Sequence, residues 1–124
     1  MAFAATEVIQ SFPPIADEHS RILILGSMPG PASLQKREYY GHAQNAFWNI
    51  LERCFAKRFS NYEDKVNLLL KKKIALWDVL ASCRRAGAGD AAINGAKPND
   101  IFGFLSNHAR VEKILLNGAL AKYG

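Results

Sequence analysis

The sequence predicts an α/β domain, a three-layer sandwich in which a short parallel central sheet is flanked by helices. Short apolar runs, of the kind that form strands buried on both faces, alternate along the chain with segments whose apolar residues recur at helical spacing. Such alternation favours a parallel sheet that is covered by helices on both faces. The chain has 124 residues, which is enough for one domain over 1–124 and short for two.

The first half of the chain supplies a lead-in, one strand and one helix. We expect residues 1–20 to form an arm broken by two consecutive prolines, and RILIL at 21–25 to form the first strand. A loop rich in glycine and proline is expected over 26–44. A helix is predicted from residue 46, because its apolar residues have helical spacing. Those residues are Phe47, Trp48, Leu51, Cys54 and Phe55.

The second half supplies two more strands. The elements predicted there are a helix over 62–72, a strand over 73–77, a helix over 79–84 capped by Asp78, a loop over 86–97, a short helix in PNDIFGFLSNH that starts near Asn99 or Asp100, and a strand over 110–118. In parallel sheets, ligands bind beyond the carboxyl ends of the strands. The three strand ends, at 26–31, at Asp78 and at 117–118, are therefore candidate positions for a ligand site.

Composition and charge narrow the function classes. The net charge of +5 and the pI near 9.4 favour an anionic partner, of which nucleic acid is the commonest. No apolar run approaches the roughly 20 residues of a membrane helix, and the N-terminus lacks the pattern of a signal peptide, so a cytoplasmic protein is expected. Cys54 and Cys83 form no CxxC and no Cys/His cluster, so we expect no metal site.

The first strand runs into a turn, as the stretch ILILGSMPGPAS at 22–33 shows. A glycine-rich turn after a first strand suggests phosphate binding, but neither GxxxxGK[ST] nor GxGxxG is present. Proline also removes backbone N–H donors from such a turn. We therefore expect no nucleoside-triphosphate site.

The longer stretch ILGSMPGPASLQKREYYGHAQNAFWNIL at 24–51 resembles the uracil-DNA glycosylase superfamily, and most closely its hypoxanthine-DNA (deoxyinosine) glycosylase branch. Further similarity lies in LWDVLASCRR, GDAAI, PNDI and ILLNG. The resemblance implies a monofunctional enzyme that hydrolyses the N-glycosidic bond of a deaminated base flipped out of DNA, for base-excision repair. It implies no cofactor and no metal. The partner would be DNA containing such a base, and we expect a monomer that associates with the nucleoid.

The turn itself would form one wall of the pocket for the extruded base. Gly26 and Gly30 would let the turn approach the nucleotide, and Pro29 would stiffen it. Ser27 would offer its backbone or hydroxyl to the substrate, or simply form the turn. Met28 stands where many relatives carry a water-positioning Asn or Asp, and a thioether cannot polarise water.

The YYGHxxNxFW motif would supply an aromatic face and the catalytic group. Tyr40 is expected to stack on the base, with Tyr39 as the substitute if the register is off by one. On the resemblance, Asn45 is the catalytic residue, which would orient water or hydrogen-bond the departing base. The competing interpretation is that Asn45 caps the following helix, and a side chain turned into the pocket would not be free to cap. His42 is interpreted as a buried structural residue.

The ends of the other two strands would supply polar groups. Asp78 stands where many relatives carry an Asn that reads the base edge. Its carboxylate could accept an N–H of hypoxanthine, a protonated carboxyl could donate, or the residue could cap a helix. Asn117 would also face the substrate, or would form a turn. Arg84 and Arg85 would contact phosphate, or would lie on a solvated helix end.

Two alternative functions stay open. A mismatch-specific uracil-DNA glycosylase is the nearer one, and Met28 speaks against it. The other is a truncated, catalytically weak or inactive nucleic-acid-binding module, because nothing here matches the Ser-Pro loop with which relatives grip DNA. We therefore expect the domain to be incomplete at its C-terminus, with the last strand missing.

Overall fold

A computed structural model describes residues 7–86 and 92–118. Six strands and four helices lie in those ranges. In chain order they are β1 (Val8–Gln10), β2 (Ile22–Gly26), α1 (Pro31–Lys36), α2 (Phe47–Phe55), α3 (Tyr62–Lys71), β3 (Ile74–Asp78), β4 (Leu80–Arg84), β5 (Asn94–Pro98), α4 (Ile101–Asn107) and β6 (Lys113–Leu116).

The centre of the fold is a parallel sheet with the strand order β3-β2-β6. These are the three strands that the apolar runs predict, and the α/β class is confirmed. Side chains alternate between the two faces of a strand, so Leu23 and Leu25 enter one core cluster while Ile24 packs against the other. Trp48 and Leu69, from α2 and α3, lie on the Ile24 face, and the α4 residues Ile101, Phe104 and Leu105 lie on the opposite face.

A second, antiparallel sheet has the order β1-β4-β5, which the sequence analysis did not predict. The predicted helix over 79–84 is wrong, because that segment is β4 and its backbone pairs with β1 and β5. Part of the predicted loop over 86–97 is β5, and residues 87–91 lie outside the described ranges. Asp78 is therefore no helix cap: it ends β3, and the chain turns directly into β4.

The helices are all short. The predicted loop over 26–44 contains α1, whose six residues begin with Pro31 at a position that needs no backbone N–H. The predictions for α2, α3 and α4 are confirmed, and the Asp100 side chain caps α4 by accepting from the N–H of Gly103. None of the helices in the described ranges is long and apolar enough to cross a membrane.

Candidate active site

A cavity of about 330 Å³ opens at the carboxyl edge of the central sheet, and we call it the edge cavity. Its wall includes every residue that the sequence predicts to form the base pocket or to act on the base. Those residues are Gly26, Ser27, Met28, Pro29, Gly30, Tyr40, Asn45, Asp78 and Asn117. The edge to which the rule for parallel sheets points therefore has a cavity, while the binding site and the individual roles stay predictions.

Strand register brings three of these residues side by side. Gly26 pairs with Asp78 of β3, and Leu25 pairs with Leu116 of β6, so Asn117 follows on the other side of Gly26. The Asn117 N–H continues the ladder by donating to Leu25 O over 2.7 Å. The floor of the edge cavity is therefore a bare glycine between a buried carboxylate and an amide.

Gly26 is required by its protein neighbours. A Cβ on Gly26 would lie 2.5 Å from Asp78 Oδ1 and 2.9 Å from the Tyr40 hydroxyl oxygen, so any side chain would displace one of them. The missing side chain thus makes room for Asp78 and Tyr40, a reason that differs from the expected close approach of a nucleotide. A Cβ on Gly30 would meet nothing within 4 Å, so no protein neighbour requires a glycine there.

The turn at 26–30 is held by the start of the second sheet. Gly26 O accepts from the N–H of Val79 over 2.8 Å, and Ser27 O accepts from the N–H of Leu80 over 3.2 Å. The Met28 side chain is buried in a cluster with Leu80 and Cys83. The residue that stands in place of a polar group therefore anchors the turn to β4.

Arg85 holds the far end of the same turn. Its Nη2 donates to Pro29 O over 2.6 Å, and the residue is only 4% exposed. Neither sequence interpretation of Arg85, a phosphate contact or a solvated helix end, fits this burial. Arg84 is exposed at the end of β4.

The hydroxyl of Tyr40 joins two walls of the edge cavity, because it accepts a hydrogen bond of 2.9 Å from Asn117 Nδ2. Its ring packs against Phe47 with the ring centres 4.2 Å apart. Burial raises the pKa of Tyr40 to about 12; the Asp78 charge also raises it, while the Asn117 hydrogen bond lowers it. Tyr40 has a φ of 53°, an unusual conformation for a bulky residue.

Tyr39 also lines the edge cavity, but its burial and contacts favour Tyr40 as the residue that stacks on a ligand. It is 3% exposed, and its hydroxyl donates to Pro13 O over 2.9 Å. Its backbone is fixed as well, since its N–H donates to the Tyr62 hydroxyl and its carbonyl accepts from Trp48 Nε1. Burial raises the pKa of Tyr39 above its usual range. Its contacts hold the loop that presents Tyr40.

Asn45 lies exposed at the cavity and also binds the start of α2, so the expected conflict between the two roles is absent. Its Oδ1 accepts from the N–H of Phe47 over 2.8 Å, in the i to i+2 pattern of an Asx turn. The N-cap position itself belongs to Ala46. A backbone N–H can only donate, so the bonded atom of Asn45 must be the oxygen, and Nδ2 has no hydrogen-bond partner among the described residues.

His42 also lines the edge cavity, and it is exposed, so its interpretation as a buried residue is wrong. Its Nδ1 accepts from the N–H of Gln44 over 3.0 Å, which orients the ring. Among the residues that the structure describes, Asp78 is the one carboxylate of the cavity wall, and it is 3% exposed. Across the described ranges, no group of three or more His, Cys, Asp and Glu residues could hold a metal ion.

Comparison with known proteins gives the family. The model of the Uracil DNA glycosylase superfamily matches residues 13–122. The chain is 39% identical over 112 residues to the hypoxanthine DNA glycosylase of Methanosarcina barkeri, which covers 88% of this chain and 70% of that protein. It is 34% identical over 114 residues to the protein of the same name from Methanosarcina acetivorans, covering 90% of this chain and 72% of that one.

The fold agrees with this likeness. The solution NMR structure of a uracil DNA glycosylase candidate from Methanosarcina acetivorans superposes with a TM-score of 0.84 at 33% identity, covering 94% of this chain and 74% of that one. The sequence, the parallel sheet and the position of the edge cavity lead to one conclusion: this chain belongs to the Uracil DNA glycosylase superfamily.

Proposed function

We propose that this chain is a monofunctional DNA glycosylase that removes a deaminated base, hypoxanthine in the first place, from DNA during base-excision repair. The observation that carries the proposal is the convergence of Asn45, Asp78, Tyr40 and Asn117 on one cavity at the carboxyl edge of the sheet. Two relatives named hypoxanthine DNA glycosylase support the choice of base. A glycosylase must turn its target nucleotide out of the duplex into such a cavity.

Asp78 supports the choice of hypoxanthine as the base that the cavity binds. An ionised carboxylate can only accept hydrogen bonds, and hypoxanthine carries an N1–H where adenine carries a lone pair. Asp78 Oδ1 lies beside the bare Cα of Gly26, on the floor of the cavity. In its ionised form, Asp78 would favour a base that presents N–H and would repel the lone pair of adenine N1. Uracil also has an N–H on its pairing edge and is the second substrate to test.

The contacts of Asn45 favour action on the departing base. Hydrolysis breaks the bond between C1′ and the base nitrogen, and the bonding electrons leave with the base. Water supplies a hydroxyl group to C1′, and its remaining proton ends on the released base. Because Oδ1 of Asn45 is used by Phe47, the amide can donate through Nδ2. A donor aimed at the base stabilises the negative charge that develops there. An amide is a poor proton acceptor, so Asn45 would leave water unactivated.

Tyr40 would act through its hydroxyl as well as its ring. The raised pKa of about 12 keeps the hydroxyl protonated at neutral pH. Since the oxygen already accepts from Asn117, its hydrogen remains to be donated toward Asp78 or the base. The ring face that packs on Phe47 is occupied, so a base would stack on the other face.

Met28 argues against the mismatch-specific uracil glycosylase alternative. That alternative needs a polar side chain at this place, and here the side chain is a thioether buried with Leu80 and Cys83. We expect the enzyme to work as a monomer in the cytoplasm, on the DNA of the nucleoid. The net charge of +5 supports attraction to DNA.

The test is base release from matched duplexes that contain inosine, uracil, xanthine or no lesion. Free base is quantified directly, and abasic sites are counted as strand breaks after alkali. We expect hypoxanthine release from the inosine duplex and none from the undamaged one. Salt-dependent binding to every duplex without base release would instead identify a nucleic-acid-binding module.

A further inference from the structure

We propose that Arg85 is a positioning residue that fixes the Pro29 wall of the edge cavity, and that its loss weakens recognition of the extruded base while general binding to DNA persists. The inference rests on the proposed glycosylase function. Arg85 contacts the wall from behind, so we assign it no contact with DNA.

One contact of Arg85 joins its buried cation to a carbonyl of the cavity wall. Nη2 of Arg85 donates to Pro29 O over 2.6 Å, and the residue is 4% exposed. A charge-assisted hydrogen bond of this length is among the stronger polar contacts in proteins, and it strengthens where water is excluded. No phosphate can reach a guanidinium that is covered by protein.

The Pro29 carbonyl is bound by the Arg85 side chain, whereas other carbonyls of the turn are bound by backbone N–H groups. Gly26 O and Ser27 O are fixed by the N–H groups of Val79 and Leu80. Proline has no N–H of its own, so Pro29 can be tied to the fold by hydrogen bonding only through its carbonyl. Among the described residues, Arg85 is the group that bonds this carbonyl, which lies just before Gly30, the N-cap of α1.

The expected consequence is a loss of fit. A cavity wall displaced by about 1 Å can cost two orders of magnitude in rate, even when the altered residue is remote from the chemistry. Non-specific affinity for DNA comes from exposed cations and phosphates, and Arg85 contributes nothing to that surface. The neighbouring Arg84 is exposed and provides the matched control.

The experiment measures two affinities for wild type, Arg85→Met, Arg85→Lys and Arg84→Met. One duplex carries 2′-fluoro-arabino-inosine, whose fluorine prevents cleavage, and the other is undamaged. The dissociation constant for the undamaged duplex, divided by that for the inosine duplex, reports recognition of the base. Arg85→Met should lower that ratio about tenfold, the size expected for a lost charge-assisted hydrogen bond. Arg85→Lys should restore part of it, and Arg84→Met should keep the wild-type ratio.

Each outcome has one reading. If wild type binds both duplexes equally, the proposed function fails. If wild type prefers the inosine duplex and Arg85→Met keeps that preference, the assignment of Arg85 is wrong. It is also wrong if Arg85→Met weakens both affinities equally, as a phosphate contact would. If Arg85→Met fails to fold, the Arg85→Lys variant decides at a wild-type melting temperature: a lowered ratio supports the assignment of Arg85, and an unchanged ratio overturns it.

Discussion

The side-chain amide of Asn117 donates a hydrogen bond of 2.9 Å to the hydroxyl of Tyr40 and so joins the end of β6 to the YYGH loop across the edge cavity. The two residues are 77 positions apart. Gly26 lies beside the Tyr40 hydroxyl, with Asp78 on one side of it in the sheet and Asn117 on the other. The candidate site is therefore built from four separate parts of the chain, held in place by strand register and by one bridging hydrogen bond.

The Tyr40→Phe variant distinguishes the contribution of the Tyr40 hydroxyl from that of its ring. The ring keeps its packing on Phe47, while the Asn117 amide loses its acceptor. We expect the single-turnover rate of hypoxanthine release to fall about tenfold, as for one lost hydrogen bond of about 1.4 kcal/mol. A full wild-type rate would mean that only the ring is used. The double variant with Asn117→Ala should lose little more than either single variant, because the two changes remove the same contact.

Gly26→Ala should destabilise the fold more than Gly30→Ala. The new methyl group at position 26 would overlap Asp78 and Tyr40, and such overpacking costs about 1–3 kcal/mol. At position 30 the methyl group meets nothing within 4 Å and the backbone is extended, with φ −76°, so the change should lie within about 0.5 kcal/mol. Urea denaturation of both variants measures the difference. Equal losses would show that the packing around Gly26 is not as described.

Stability should fall at alkaline pH because of Tyr40. Its pKa is about 12 in the folded protein and 10.0 as a model value, so the unfolded chain loses the proton first. The stabilisation that Tyr40 gives to the folded protein is fully present below pH 10 and is lost as the pH rises toward 12. Urea midpoints across that range should decrease, and they should decrease less for Tyr40→Phe. Parallel decreases for the two proteins would mean that Tyr40 ionises normally when folded.

The central sheet was predictable because its strands are continuous apolar runs, and the second sheet was not. β5 has the sequence NGAKP, which is rich in poor strand formers and wholly exposed, so it carries no hydrophobic pattern. β4 follows β3 after the single residue Val79, and its partner β1 lies some 70 residues away in sequence. The local pattern of residues 79–84 suggested a helix, but hydrogen bonding to the distant backbone of β1 makes this segment a strand.

Within the candidate site, the sequence located residues better than it assigned their contacts. Asp78 and Asn117 were found because both follow buried strands whose carboxyl ends meet at one edge. The sequence could not predict the burial of Arg85, because Arg84 and Arg85 are adjacent residues of the same type and no local pattern distinguishes them. The Asx turn of Asn45 and its proposed catalytic role are compatible because an amide has a separate donor and acceptor, whereas the sequence interpretation gave the side chain one role only.

The most direct test of the account is the single-turnover rate of hypoxanthine release by Asn45→Asp, with Asn45→Ala beside it. Aspartate keeps an oxygen for the N–H of Phe47 but loses the Nδ2 donor. Both variants should therefore be about 10²- to 10³-fold slower than wild type, as for the loss of one transition-state donor, while only alanine also loses the Asx turn and about 1 kcal/mol of stability. An Asn45→Asp rate near that of wild type would contradict the account, because it would show that position 45 acts on water through an acceptor oxygen.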